Sequence, residues 1–352
     1  MTAECIRIGR RDVGPGQPPF VIAELSGNHN GELARALQLV DAAAEAGADA
    51  VKLQTYTADT MTIEVSDGAF RIDDPESPWA GRSLYELYRQ AATPWEWHAP
   101  IFERAQGHGM EAFSSAFDGT AVDFLETLDP PAYKIASFEL SDVELVARIA
   151  RTGKPMIVST GMADLGEIHD SVEAARLAGG GELILLCCTS AYPSTARDAN
   201  LARIPVLRQA FACQVGLSDH SMGLAIPAVA VALGATVIEK HLTLRRADGG
   251  VDSAFSLEPA EFRTLVTAAR DAAAAIGQPR FGASAAERTS HSHRRSLYVV
   301  RDLEAGERLD RSCVRAIRPG LGLPVKCLDA VLGLELARPV RRGTPVSWDL
   351  FK

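Results

Sequence analysis

Two histidines occupy equivalent places in the sequence. His220 ends the segment Gly216-Leu-Ser-Asp-His and His241 ends Val237-Ile-Glu-Lys-His, and each closes a short apolar run typical of a buried strand. If the two runs are neighbouring parallel strands, both imidazoles reach the same end of the sheet, where a divalent metal can bind them. The alternative interpretation is that each is an ordinary histidine of the core.

The scarcity of further ligands indicates which metal such a site would hold. Beside the two imidazoles, Glu24 and Glu239 are the candidate oxygen neighbours. Structural zinc prefers four protein ligands, whereas manganese and magnesium accept oxygens from water and substrate. We therefore expect Mn²⁺ at His220 and His241, with Mg²⁺ or Co²⁺ as alternatives.

Two lysines lie inside other apolar runs, Lys52 in Ala50-Val-Lys-Leu-Gln-Thr and Lys134 in Ala132-Tyr-Lys-Ile-Ala-Ser. Lysine is almost never fully buried without a partner, and an anion held between the strands would be such a partner. Further hydroxyl donors suited to phosphate come from serines at other strand ends, namely Ser115, Ser137, Ser159 and Ser218. The alternatives are structural salt bridges, for example between Lys52 and Glu24, or a lysine that forms a Schiff base.

Strand-like and helix-like segments alternate from about residue 20 to residue 276. The helix-like segments include Leu33–Ala46, Val143–Arg151 and Glu167–Leu177. The eight strand candidates are Phe20–Glu24, Ala50–Tyr56, Glu111–Ser115, Ala132–Ser137, Pro155–Thr160, Leu183–Thr189, Gln214–His220 and Thr236–Leu242. Eight such units predict an α/β fold, a closed (β/α)8 TIM barrel rather than an open doubly wound sheet, with functional side chains at the carboxyl ends of the strands.

Two segments depart from this alternation. Residues 57–97 form a long insertion after the second strand, on the face where barrel enzymes build their sites. Residues 277–293 have the composition of a linker between a barrel domain, residues 1–276, and a small β-rich domain, residues 294–352. The small domain contains strand-like pieces at Ser296–Val300 and Val314–Ile317.

Charge and cysteine content exclude some partners and compartments. The chain of 352 residues carries a formal net charge of −9, which argues against general binding to nucleic acid or to an acidic membrane surface. Residues 294–352 nevertheless hold 12 basic and 7 acidic residues. No apolar run approaches a membrane span, and six scattered cysteines without a CxxC pair favour a reducing cytoplasm.

Several longer motifs resemble those of the sialic acid synthase family, in the same order and nearly end to end. They are Ile22-Ala-Glu-Leu-Ser-Gly-Asn-His-Asn-Gly31, Gly47-Ala-Asp-Ala-Val-Lys-Leu-Gln-Thr55, Tyr133-Lys-Ile-Ala-Ser137, Gly153-Lys-Pro-Met-Ile-Val-Ser-Thr-Gly161, Gly216-Leu-Ser-Asp-His220 and Glu239-Lys-His241. Residues 294–352, with Arg294-Arg-Ser-Leu and Ile317-Arg-Pro-Gly, resemble the family's C-terminal antifreeze-like (SAF) domain. The resemblance implies an enzyme that condenses phosphoenolpyruvate with an amino-sugar aldehyde to form a nine-carbon 2-keto acid.

The resemblance also implies roles for individual residues. His220 and His241 match the family's metal ligands, and we expect Glu24, or otherwise Glu239, to handle a proton or to stabilise positive charge. The residues that match phosphoenolpyruvate contacts are Lys52, Ser115, Lys134, Ser137, Ser159, Ser190 and Ser218. Those that match sugar contacts are Glu24, Gln54, Tyr192, Asp252 and Arg318. In the family this arginine comes from the SAF domain of the other subunit, so the resemblance implies a domain-swapped homodimer.

Within the family, four segments most resemble pseudaminic acid synthases, whose sugar substrate is 2,4-diacetamido-2,4,6-trideoxy-L-altrose. They are Tyr85-Glu-Leu-Tyr, Thr93-Pro-Trp-Glu-Trp-His98, Thr189-Ser-Ala-Tyr-Pro193 and Gly249-Gly-Val-Asp-Ser-Ala-Phe-Ser-Leu-Glu-Pro259. Synthases of N-acetylneuraminate or legionaminic acid are the alternatives within the family. Two residues depart from the family pattern: Ala116, where proline is usual, and Cys187, where lysine is common.

Two other classes of protein remain open at this point. A metal-dependent barrel hydrolase would also use a histidine pair, but it would want more histidine and aspartate ligands. It would have no use for two anion-binding lysines. A carbohydrate- or ice-binding protein would need regular rows of threonine, whereas residues 294–352 contain Thr344 as their one threonine.

Overall fold

The computed structural model describes residues 5–352, which form two compact units. The first unit ends at Gly277 and the second comprises Gln278–Lys352. No helix in these residues is both long enough and apolar enough to cross a membrane.

A closed parallel barrel forms the first unit. A short antiparallel hairpin, β1 (Ile6–Ile8) and β2 (Arg11–Val13), precedes it. The barrel strands are β3 (Phe20–Glu24), β4 (Ala50–Thr55), β5 (Glu111–Ala116), β6 (Tyr133–Ile135), β7 (Met156–Ser159), β8 (Leu183–Cys188), β9 (Gln214–Asp219) and β10 (Val237–His241). They pair in chain order, and β10 closes the ring by pairing with β3. The predicted TIM barrel is therefore confirmed, and the open sheet is excluded.

Helices separate the barrel strands. In chain order they are α1 (Leu33–Ala46), α2 (Ala58–Met61), α3 (Leu84–Ala91), α4 (His98–Gly107), α5 (Gly119–Glu126), α6 (Val143–Ala150), α7 (Leu165–Leu177), α8 (Arg203–Phe211), α9 (Ala225–Ala232) and α10 (Pro259–Ile276). The predicted α1 is observed with its predicted bounds, and Gly47 ends it at a φ of 89° that favours glycine. Helix α7 begins two residues earlier than predicted because Asp164 caps it, accepting from the backbone N–H of Gly166 and Glu167.

Packing divides the barrel interior into an apolar half and a polar half. Side chains alternate along each strand, so Val21 and Ala23 of β3 pack toward the helices while Phe20 and Ile22 point inward. The inward apolar side chains lie near the amino ends of the strands, where the β1–β2 hairpin packs against them. This cluster comprises Ile6, Ile8, Val13, Phe20, Ile22, Ala50, Phe113, Ala132, Ile157, Ile184, Leu186 and Val237. The inward positions near the carboxyl ends of the strands are polar.

The insertion at residues 57–97 is more ordered than a plain loop. It contains α2 and α3, together with two 3₁₀ turns at Gly68–Phe70 and Trp95–Trp97. Thr57 caps α2 and Ser83 caps α3 through their side-chain oxygens. Each of these two helices therefore has its own N-terminal cap. The insertion follows directly after the carboxyl end of β4.

The second unit has a small core of its own. Its regular elements are α11 (Arg288–His291), β11 (Ser296–Val299), β12 (Val314–Ile317) and α12 (Leu328–Val331), and β11 pairs with β12 in antiparallel fashion. The two strands fall where the sequence predicted them, with β11 one residue shorter. Buried side chains such as Leu297, Val331 and Val346 form the core.

Candidate active site

Alternation along the barrel strands brings the predicted site residues to one polar mouth. Glu24 lies opposite both Lys52 and His241 in the strand register, and Ser115 lies opposite Gln54 and Lys134. Ser218 pairs with Glu239 on the next strand. Apart from the half-buried Gln54, these side chains are buried, and Glu24 and Lys134 are almost entirely removed from solvent. The barrel thus concentrates charge in a water-poor space, where electrostatic interactions are strong.

Lys52 is the centre of a charged group with two glutamates. Its ammonium forms a salt bridge with Glu24 and lies 3.6 Å from Oε1 of Glu239. Lys52 Nζ also donates to Ser115 Oγ at 3.1 Å. Burial acts to lower the pKa of Lys52, but the two carboxylates outweigh it and raise that pKa, so the ammonium is kept. The salt bridge between Lys52 and Glu24, the alternative that the sequence left open, is therefore present.

The two glutamates differ in their preference for a proton. Burial raises the pKa of Glu24, and the nearby Glu239 adds to that effect, although Lys52 opposes it. Burial also acts on Glu239, but Lys134 and Lys52 together lower the pKa of that carboxyl. Glu24 is therefore the member of this pair that more readily takes up a proton, while Glu239 stays ionised.

Lys134 has no carboxylate partner in salt-bridge distance within the described residues. Its Nζ donates to Ser159 Oγ at 2.7 Å and to the carbonyl oxygen of Ile135 at 2.9 Å. Burial lowers the pKa of Lys134 because nothing in direct contact compensates its charge. A fully buried ammonium with only neutral acceptors has the chemistry to bind an anion, and the anion-binding role of Lys134 stays a prediction.

Three serines lie at or just after the carboxyl ends of β6, β7 and β8. The backbone N–H of Gly161 donates to Ser137 Oγ at 3.0 Å. A side chain at position 161 would collide with the hydroxyls of both Ser137 and Ser190. Glycine at this position therefore allows Ser137, after β6, and Ser190, after β8, to approach each other, while Ser159 at the end of β7 contacts Lys134. Ser218 lies on β9, next to β8, and donates to Glu239 Oε1 at 3.3 Å.

The two histidines lie side by side, with ring centroids 5.3 Å apart. His220 Nδ1 donates to the carbonyl oxygen of Thr189 at 3.0 Å, and His241 Nδ1 is hydrogen-bonded with Ser26 Oγ at 3.2 Å. Nδ1 is engaged in both rings, which is usual in a metal-binding histidine and leaves Nε2 of His241 for a ligand. The side chain of His220 is in addition hydrogen-bonded with Cys188. Burial holds the pKa of His241 well below its usual value, so this imidazole is neutral.

The donor set fits a metal that takes its remaining ligands from water and substrate. Within residues 5–352, no group of three or more His, Cys, Asp and Glu side chains could hold a metal ion. A structural zinc site would need such a group, whereas two imidazoles beside an open polar mouth suit a manganese-type ion. The assignment of His220 and His241 as metal ligands remains a prediction.

Aromatic side chains form one wall of the mouth. Phe255 lies at its centre, with ring centroids 5.1 Å from His241 and 5.0 Å from Tyr192. Tyr192 in turn lies 4.5 Å from His220. From the insertion, Trp79 packs on Tyr192 at 5.6 Å and donates through Nε1 to the carbonyl oxygen of Val251 at 2.8 Å. The insertion therefore contributes directly to the surroundings of the histidines.

Asp252 and Arg318 are the remaining predicted sugar contacts. Asp252 is buried near the histidines, and burial raises its pKa while hydrogen bonds from Ser26 and from the backbone of Gly27 oppose that shift. Arg318 is exposed and follows β12 in the second unit. Its contact with the sugar remains a prediction.

Sequence reasoning missed four residues around this mouth. Trp79 and Phe255 give no strand-end signal, because one lies in the insertion and the other in the segment after β10. Glu139, in the loop after β6, has a carboxyl oxygen without a hydrogen-bond partner, and burial raises its pKa to about 7. Burial would raise the pKa of Cys188 as well, but His220 overcomes that effect and lowers it to about 7. Side-chain alternation along β8 places Cys188 inside the barrel, and this was the sequence signal that could have identified it.

Comparison with known proteins gives consistent matches over both units. Residues 39–280 match the NeuB family and residues 294–352 match the SAF domain. A pseudaminic acid synthase of Campylobacter jejuni is 44% identical, covering 95% of this chain and 96% of its own, and one of Helicobacter pylori is 41% identical over 95% and 98%. The crystal structure of an N-acetylneuraminic acid synthetase from Leptospira borgpetersenii, in complex with citrate, superposes with a TM-score of 0.72 at 32% identity, covering 82% of this chain and 95% of that one.

Proposed function

Because the chain belongs to the NeuB family, we propose that it is a pseudaminic acid synthase. It condenses phosphoenolpyruvate and water with 2,4-diacetamido-2,4,6-trideoxy-L-altrose, and it releases pseudaminic acid and phosphate. The observation that carries the proposal is the pairing, in one barrel mouth, of the carboxylate-free Lys134 with two imidazoles 5.3 Å apart. The pseudaminic acid synthases of two organisms, similar over 95% of the chain, support this sugar over those of the family's other branches.

Phosphoenolpyruvate carries a phosphate and a carboxylate, and the mouth offers two ammonium groups. Lys134 and the hydroxyls of Ser137, Ser159 and Ser190 form one anion-binding cluster. Lys52 and Ser115 form the other, on the neighbouring strands β4 and β5. In the absence of substrate, Lys52 is neutralised by Glu24 and Glu239, so an arriving anion competes with these carboxylates.

The chain's own groups then support formation of the carbon–carbon bond. C3 of the enol attacks the aldehyde carbon, water adds at C2, and phosphate leaves the tetrahedral intermediate by C–O cleavage. Glu24 exchanges a proton at this point, or its carboxylate stabilises positive charge at C2, because it is buried and its pKa is raised. His220 and His241 would hold the divalent metal, which when bound supplies Lewis acidity toward the aldehyde oxygen and water. Gln54, Tyr192 and Asp252 orient the sugar.

We further propose a domain-swapped homodimer that works in the cytoplasm. In this assembly the second unit of one subunit supplies Arg318 to the barrel mouth of the other. The exposed position of Arg318 leaves its guanidinium free for such a contact. The six cysteines are all free thiols, which suits a reducing compartment.

A product assay by mass spectrometry tests the proposed function. The Mn²⁺-loaded protein is offered phosphoenolpyruvate with the altrose-type sugar, with N-acetylmannosamine and with the legionaminic acid precursor, in parallel reactions. The expected result is a nine-carbon keto acid from the altrose-type sugar, formed with a large preference. Preference for another sugar would assign the protein to the branch of the family that uses that sugar. No phosphate release with any of the three would contradict the proposal.

A metal-dependent barrel hydrolase is the competing class. It would need additional histidine or aspartate ligands, and the described residues do not provide a group of three. Such an enzyme would also act without phosphoenolpyruvate. The same assay, run with the sugar alone, therefore separates the two classes.

A further inference from the structure

A buried charge pair lies directly behind the two histidines, on the side of the strands that faces the helices. Asp219 precedes His220 at the end of β9, and Lys240 precedes His241 at the end of β10. The two residues face each other in the strand register, and Lys240 Nζ donates to Asp219 Oδ2 at 2.8 Å. The exposed fraction of the side chain is 0% for Lys240 and 3% for Asp219.

The same carboxylate also binds the residue on the other side of His220. Asp219 Oδ1 accepts from the backbone N–H of Ser221 at 3.0 Å, and Asp219 Oδ2 accepts from Ser221 Oγ at 3.0 Å. Lys240 Nζ donates in addition to the carbonyl oxygen of Ser221. Hydrogen bonds therefore hold Asp219 and Ser221, the residues on either side of His220. Both contact Lys240, the residue before His241.

Side-chain alternation explains why this arrangement controls the imidazoles without touching them. Asp219 and Lys240 point outward, so His220 and His241 must point into the mouth. The ion pair joins the ends of β9 and β10, each next to one of the two rings, whose centroids are 5.3 Å apart. A buried ion pair of this kind adds little net stability, because desolvation of both charges offsets their attraction. Its main effect is on geometry.

We infer that the Asp219–Lys240 pair is the positioning device that holds His220 and His241 at the spacing needed to share one divalent metal. The inference rests on the metal-binding part of the proposed function. Asp219 and Lys240 are positioning residues and do not contact substrate. Loss of their ion pair should weaken binding of the metal while leaving the phosphoenolpyruvate cluster around Lys134 intact.

The test compares two buried, ion-paired aspartates that lie at opposite ends of the barrel. Asp49 accepts from the backbone N–H of Val21 at 2.9 Å and pairs with Arg11 and Arg270, but it precedes β4 at the opposite end of the barrel. Asp219→Asn and Asp49→Asn each replace a buried carboxylate by an amide of the same shape. Binding of Mn²⁺ is measured by electron paramagnetic resonance of the free ion, which needs no catalysis.

We expect the dissociation constant for Mn²⁺ to rise roughly 10- to 100-fold in Asp219→Asn, the usual cost of losing support behind a ligand. Excess Mn²⁺ should restore kcat, and the KM for phosphoenolpyruvate should stay at the wild-type value. Asp49→Asn should bind Mn²⁺ like the wild type. Equal Mn²⁺ affinity in Asp219→Asn and the wild type would overturn the inference, and so would an equal loss in the Asp49→Asn control.

A second variant distinguishes a loss of metal binding from simple misfolding. Asp219→Leu combined with Lys240→Met removes both charges, so neither is left buried without a partner. This double variant should keep the circular dichroism spectrum of the wild type but show the same loss of Mn²⁺ affinity; wild-type affinity would overturn the inference. If the wild type itself binds no Mn²⁺, the metal assignment fails and the inference with it. A wild type that binds Mn²⁺ but releases no phosphate contradicts the proposed function alone.

Discussion

At the scale of single residues, the mouth contrasts two buried lysines. The sequence predicted both as anion-binding groups and left a salt bridge of Lys52 with Glu24 as the alternative. Lys52 does form that bridge, whereas Lys134 contacts a hydroxyl and a carbonyl oxygen. This difference was beyond prediction from sequence, because the register that places Glu24 beside Lys52 is a property of the closed barrel.

Lys134→Met tests the anion-binding role of the unpaired lysine. The variant keeps the apolar stem and removes the charge, so the KM for phosphoenolpyruvate should rise roughly 10- to 100-fold, as expected from losing a hydrogen bond to a charged group. Steady-state kinetics measures this, and the KM for the sugar should change little. Lys154→Met is the control, since Lys154 pairs with Asp129 on the surface. A KM for phosphoenolpyruvate unchanged by Lys134→Met would remove this residue from the anion site.

Glu139 should make stability depend on pH. Its pKa is raised from 4.5 to about 7 by burial, so the folded protein retains a proton that the unfolded chain has already released. The free energy of unfolding of the wild type should therefore fall, relative to that of Glu139→Gln, as the pH rises from 4.5 to 7. Thermal denaturation of both proteins across this range measures the difference. A constant difference would show that Glu139 titrates normally.

At the scale of elements, the barrel was predictable and the additions to it were not. Eight apolar runs separated by amphipathic segments are a strong local signal, and all eight became strands. The β1–β2 hairpin has three residues per strand and gave no comparable pattern. The insertion was predicted at the correct face, but its contact with the segment after β10 joins Trp79 to Val251, 172 residues away. A contact between residues so far apart in sequence leaves no local periodic pattern from which it could be predicted.

Trp79→Leu tests whether the insertion shapes the sugar site. Trp79 supports Tyr192 and Phe255, which lie against the histidines. Loss of the aromatic contact, worth about 0.5–1.5 kcal/mol, should raise the KM for the sugar roughly three- to tenfold while leaving the KM for phosphoenolpyruvate unchanged. Trp95→Leu is the matched control, because Trp95 stacks on Phe124 instead. Equal effects of the two variants on the sugar KM would indicate a general loss of packing.

At the scale of the whole molecule, the chain combines an acidic barrel unit with a basic SAF unit. The NeuB family match ends at residue 280, within the predicted linker 277–293, and the SAF match begins at residue 294. Sequence patterns within one chain carry no information on which subunit would supply the proposed Arg318 contact. This arrangement needs an experiment on the assembled protein.

Complementation between two inactive variants tests the domain swap. His220→Ala should disable a barrel mouth, and Arg318→Ala removes the arginine that we propose the second unit supplies. In a swapped homodimer, a mixed dimer regains one intact site, so co-expression should restore roughly a quarter of wild-type activity, because half of randomly paired dimers are mixed. If each barrel used its own Arg318, mixing would restore nothing.

The most direct test of the central claim follows the bridging oxygen of phosphoenolpyruvate, the oxygen between C2 and phosphorus. The substrate is labelled there with oxygen-18 and turned over with the altrose-type sugar and Mn²⁺. Water addition at C2 followed by C–O cleavage predicts that the label appears in the released phosphate, as read by mass spectrometry. Label retained in the keto acid, or no release of phosphate, would contradict the account.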